Sequence, residues 1–195
     1  MGCWAFGIYQ SDDSMDWEQS LYDELKVDQH EYDFEKDPKN IRGLIEAKLP
    51  NLLKHINQVN SQDADKTAFQ KSVGAQMLTC LLMRHGCQVT DDVRQGIIDT
   101  IQRCPEYTLA TEVHAKSGLT VISVSHLLEK FDDSFGLQST VNRLNGRFGA
   151  LTSLVSAFQA YNSQGGEPYD YRDTGALALY GVTEEEYSKR PYLYM

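Results

Sequence analysis

The sequence predicts an all-α protein, a multi-helix globular bundle of roughly seven to nine helices around one central apolar helix. Apolar residues recur at helical period in most long segments. The run from Lys66 to Arg84 is apolar nearly all the way round, which places it in the middle of a bundle. Only Thr120 to Ser125 is β-branched enough for a strand, and no second strand is at hand to pair with it. Its Val121, Val124, Leu127 and Leu128 also fit helical spacing, so it is read as helix, with one short β segment near 120–125 as the alternative.

In chain order, Ser11 or Asp12 is placed to cap the first helix, because a short side-chain oxygen can accept from the unpaired N–H groups of a first turn. Asp12, Asp13 and Asp16 then sit at the positive end of the helix dipole, each worth roughly 0.3–1 kcal/mol there. Trp17, Leu21 and Leu25 form its inward stripe. Upstream, Trp4, Phe6, Ile8 and Tyr9 are too apolar for a free tail, so the N-terminal segment is expected against the core. Asp28 to Asn40 reads as an acidic loop or a short exposed extended segment, without the glycine and closing glutamate of a calcium loop.

Asp37-Pro38 reads as N-cap and first position of a helix carrying Ile41, Leu44, Ile45, Leu49, Leu52, Leu53, Ile56 and Val59 on one broad face. Pro50 is expected to end or kink it. A polar loop from Asn57 to Asp65 leads to the central helix, where Phe69, Val73, Met77, Cys80 and Leu81 make one face and Leu78, Leu82 and Met83 cover much of the rest. Gly86 is its stop. Thr90-Asp91-Asp92 caps the next helix, with Val93, Ile97, Ile98 and Ile101 inward and Pro105 beyond its end. From Gly136, the residues Val141, Leu144, Phe148, Leu151, Val155 and Phe158 alternate three and four apart. Gly146 and Gly149 interrupt that run at about 1 kcal/mol each relative to alanine, a cost understandable where another backbone approaches. A buried intramolecular helix is expected, with a homodimer seam through 141–158 as the alternative. Asn162 to Pro168 reads as loop, Asp170 to Tyr180 as helix, and Thr183 as the cap of a final turn before a tyrosine-bearing tail.

With 195 residues, 41% of them hydrophobic, the chain can bury one sizeable core and is read as a single helical domain, 1–195, with 1–116 and 117–195 as a subdivision. No run approaches the roughly 18 apolar residues of a membrane span, and no signal peptide opens the chain. Cys3, Cys80, Cys87 and Cys104 form no C-x-x-C pair, so free thiols in a reducing cytoplasm are expected. The net charge of −10 is concentrated: residues 1–37 hold eleven acidic groups against Lys26 and Lys36, while the rest of the chain is close to balanced. Such a field repels nucleic acid and anionic lipid and attracts basic partners or cations. A solvating acidic face is the plainer account of the same charges.

The N-terminal spacing Gly-x-Trp-x-x-Gly-x-aromatic-x-x-Asp-Asp-x-x-Asp, carried by Gly2, Trp4, Gly7, Tyr9, Asp12, Asp13 and Asp16, resembles the start of an uncharacterised bacterial domain-of-unknown-function family with the pattern G-x-W-G-x-G-x-F-x-x-D-x-A-x-D. The stretch Val73 to Arg103 is similar to that family as well. Ala5, Tyr9 and Ser14 depart from the pattern. The resemblance covers about half the chain and implies a fold but no activity, since the family has none settled.

For chemistry, His30, His55, His85, His114 and His126 show no zinc-hydrolase pairing, and neither a G-x-S-x-G elbow nor a phosphate-cradling loop is present. Cys87 or Cys104 could meet a distant histidine, as any free thiol could. The expected function is therefore that of a non-enzymatic acidic cytoplasmic binding protein that uses Asp23, Glu24, Glu31, Asp33 and Glu35 to hold a basic protein, in the manner of an immunity protein neutralising a basic toxin. No cofactor, nucleic acid or membrane is expected. The alternative is a divalent-metal-dependent hydrolase in which Asp12, Asp13 and Asp16 hold the ion, aided by Glu31 or Asp33.

Overall fold

A computed structural model describes residues 8, 12–27, 38–104, 107–108 and 137–161, with side chains in the last segment described from Phe148 onward. The described residues are overwhelmingly helical and contain no strand, so the protein is all-α as expected. They form five helices: α1 (Asp12–Leu25), α2 (Pro38–Gln58), α3 (Ala64–Arg84), α4 (Asp91–Gln102) and α5 (Leu137–Tyr161). The segments read as helix or strand at 120–125, 170–180 and 183 onward lie outside the described residues.

The centre is α3, which packs against all four other helices. Every residue from Ser72 to Met83 is buried, three turns with no solvent face. A polar group there must find its partner inside. Ser72 Oγ donates to the Ile101 carbonyl at 3.2 Å, Gln76 Nε2 donates to Ser72 Oγ at 3.0 Å, and Thr79 Oγ1 donates to the Ala75 carbonyl at 2.8 Å. The Ile101 carbonyl, in the last turn of α4, accepts from the Cys104 N–H as well, at 3.3 Å.

The ends of α3 are built by local chemistry. Asp63 Oδ1 accepts from the N–H groups of Asp65 and Lys66 at 2.9 and 3.2 Å, so the helix begins two residues earlier than its apolar period suggests. At the other end Gly86 takes φ 69°, Gly86 N–H donates to the Met83 carbonyl at 3.1 Å and Cys87 N–H to the Leu82 carbonyl at 2.9 Å. That is the paired closure of a left-handed C-terminal cap, with buried Leu82 and Cys87 as its apolar ends. The same closure ends α1, where Lys26 N–H reaches Asp23 and Val27 N–H reaches Tyr22, but there the left-handed residue is Lys26 at φ 60°.

Pro50, expected to end or kink α2, corrects the first of those alternatives: it does not end the helix, which runs on to Gln58. Proline costs its own N–H bond to the carbonyl four residues back. Pro50 lies on the exposed side, where water can take that carbonyl, while Ile45 and Leu49 before it and Leu52 and Ile56 after it are all buried in one core. Thr90 corrects a second expectation: it occupies the N-cap position of α4, yet its hydroxyl makes no capping bond. Asp12 is the first residue of α1, so of the two candidate caps the cap position falls to Ser11, which lies outside the described residues.

In α5, Ala150, Leu151, Leu154, Val155 and Phe158 are buried, and the helix packs on α3 and α4. Its described apolar face is covered within the chain. Arg94 of α4 pairs with Asp91 and donates from Nη1 to the Gln159 carbonyl at 3.3 Å, tying α4 to the last turn of α5. Cys80, Cys87 and Cys104 are buried thiols.

Candidate functional site

Helix α1 has two unlike faces. Ser14, Trp17, Leu21, Tyr22 and Leu25 are buried. Ser14 Oγ donates to the Ile8 carbonyl at 2.6 Å, and Ile8 is itself buried, so at this point the N-terminal segment is held against the core as its composition suggested. Trp17 lies on Gly74 of α3. A Cβ at position 74 would come within 3.0 Å of two carbons of the indole, so glycine is what lets α1 approach α3 this closely.

One amide organises the edge of that contact. Gln70 Oε1 accepts from Trp17 Nε1 at 2.9 Å, and Gln70 Nε2 donates to Asp13 Oδ1 at 3.0 Å. An indole N–H can only donate and a carboxylate can only accept, so the amide has a single orientation that serves both. His55 of α2 meets Trp17 edge-on, with ring centroids 5.6 Å apart, and shares a 2.8 Å hydrogen bond between its Nε2 and Ser20 Oγ. Asp13, Asp16, Trp17, Ser20 and Gln70 line a surface cleft of about 220 Å³. That is smaller than the roughly 300–1,000 Å³ that bury a drug-sized ligand, and suits a single side chain or small ion.

The Ser20–His55 contact has the reach of a nucleophile and its base, but among the described residues no third group orients the other ring nitrogen of His55. It is a strut joining α1 to α2. Cys87 is no better as a nucleophile. Burial first, and Glu46 second, push its thiol up to about 12, against a smaller opposing pull from Arg42, so at neutral pH it is protonated and inert. Glu46 itself accepts from Arg42 Nε at 3.0 Å and from the Gln88 N–H at 2.8 Å, bracing the turn between α3 and α4.

The outer face of α1 carries Asp12, Met15, Asp16, Gln19 and Asp23, spaced three and four apart. Met15, 53% exposed, is the large apolar side chain most open to solvent among the described residues. Glu18 is neutralised by Arg84 at 2.8 Å, a pair largely shielded from water. Asp16, Asp23 and Glu24 make no ion pair among the described residues; the Asp23 carboxylate accepts from the Gln19 amide at 2.8 Å. At the C-terminal end of α1, Lys48 Nζ reaches from α2 to the carbonyls of Glu24 and Leu25 at 3.0 and 3.4 Å.

Of the residues singled out by sequence, Asp12, Asp13 and Asp16 thus lie on the first turns of α1, with Asp13 and Asp16 at the cleft and Asp13 held by an amide. Among the described residues no group of three or more histidine, cysteine, aspartate or glutamate side chains is placed to hold a metal ion. Asp23 and Glu24 lie together at the far end of α1, whereas Glu31, Asp33, Glu35, Gly2, Trp4, Gly7 and Tyr9 fall outside the described residues. Sequence reasoning missed Gln70, Ser20 and His55. The one available signal was Gln70, a polar residue inside the apolar period of α3. No helix of the described residues is long and apolar enough to cross a membrane. Compared with protein-family models, with curated proteins and with solved structures, the chain matches none of them.

Proposed function

We propose that this protein is a non-enzymatic binding protein that captures a basic protein partner through the acidic side of α1. The observation that carries the reading is the position of Asp23 and Glu24. The helix dipole favours carboxylates at the start of α1, but at its end, where no basic residue stands in the last turn, the dipole opposes negative charge by roughly 0.3–1 kcal/mol per group. Local stability therefore does not explain why these two positions are acidic. A surface kept acidic against its own helix is what electrostatic capture of a basic partner requires, because complementary charge speeds and orients encounter. Neutralisation of a basic toxin, as immunity proteins do, is one use of such a surface.

The test is affinity capture from the native host with the wild-type chain and with a variant reversing Asp23, Glu24, Glu31 and Asp33 to lysine. The expected result is a basic protein retained by the wild type alone, associating more slowly as salt rises. Equal retention by both proteins, with association rates indifferent to salt, would remove the electrostatic reading.

A further inference from the structure

We draw no further inference here: the strongest candidate, the surface cleft that Asp13, Asp16, Trp17 and Ser20 of α1 line with Gln70 of α3, belongs to the site already described and rests on an acidic cluster at a helix N-terminus, with no second observation among the described residues that points to a ligand.

Discussion

α3 and α1 lie against each other and are built on opposite terms. Twelve successive residues of α3 are buried, and even its serine, glutamine and threonine are matched with internal partners. α1 gives one stripe to the core and leaves the rest to solvent, where its charges are nearly all of one sign. In α3 each residue type is accounted for by packing, so nothing is left over to interpret. In α1 packing explains Trp17, Leu21, Tyr22 and Leu25, the positive end of the helix dipole favours Asp12, and the Gln70 amide holds Asp13. Asp16, Asp23, Glu24 and exposed Met15 remain, and that remainder is where function is to be sought. The contrast can be tested because substitutions on α3 should act on stability and those on outer α1 should not.

The largest effect is expected from Leu82→Ala. Leu82 is fully buried and also forms the apolar end of the C-terminal cap of α3, so truncation should cost about 2–5 kcal/mol in chemical denaturation. A loss under about 1 kcal/mol would mean that α3 is not the centre of the core. Beside it, Cys87 makes the same region sensitive to alkali. Its folded pKa is raised to about 12 from 9.0, so the stability it lends is complete below pH 9 and is lost as pH climbs from there toward 12, because the unfolded chain gives up the proton first. The loss at the top of that window is on the order of a few kcal/mol. Denaturation midpoints should fall as pH rises from 9.0 toward about 12 more steeply in the wild type than in Cys87→Ala.

Gly74→Ala asks whether α1 depends on α3 for its approach. Alanine gains about 1 kcal/mol in helix propensity, but its methyl meets the Trp17 ring at 3.0 Å, and overpacking costs typically about 1–3 kcal/mol. The ring has little room to retreat, being held by Gln70 and His55. A net loss of up to about 2 kcal/mol is expected, with a changed Trp17 fluorescence spectrum. A gain in stability would show that the ring yields freely.

Caps give a smaller and sharper contrast. Asp63→Ala removes two bonds at the start of α3 and should cost about 0.5–2 kcal/mol, whereas Thr90→Ala at the corresponding position of α4 removes none and should stay within about 0.5 kcal/mol. Sequence placed Thr90 at the right position but could not say where its hydroxyl would point. The same boundary runs through the whole chain. Period and composition made α3, its stop at Gly86 and the inward faces of α1, α2 and α4 legible, because one helix's neighbours in sequence determine those features. Pro50 does not end α2 because the proline rule is local, and buried Ile45, Leu49, Leu52 and Ile56 hold both halves of the helix from outside it. The cleft was illegible for a related reason. Gln70 lies 57 positions from Asp13, and His55 lies 35 from Ser20, so only the packing of α1 on α2 and α3 brings them together.

The smallest effect is expected at Asp23, and its sign is informative. Asp23 lies in the last turn of α1, three residues before a left-handed Lys26, where helix carbonyls already present negative charge. Lys48 answers some of that charge through the Glu24 and Leu25 carbonyls but does not reach the Asp23 side chain, whose described partner is the Gln19 amide. Asp23→Asn keeps the shape and the hydrogen-bond acceptor while deleting the charge, so it should raise stability by about 0.3–1 kcal/mol at low salt, shrinking as salt is added. The matching substitution Asp12→Asn, at the other end of the same helix, should lower stability by a similar amount. If the two changes carry opposite signs and Asp23→Asn also slows association with a basic partner, position 23 holds a charge that folding disfavours and binding uses. If Asp23→Asn lowers stability instead, the acidic end of α1 serves the fold, and the case for capture at that end loses its main support.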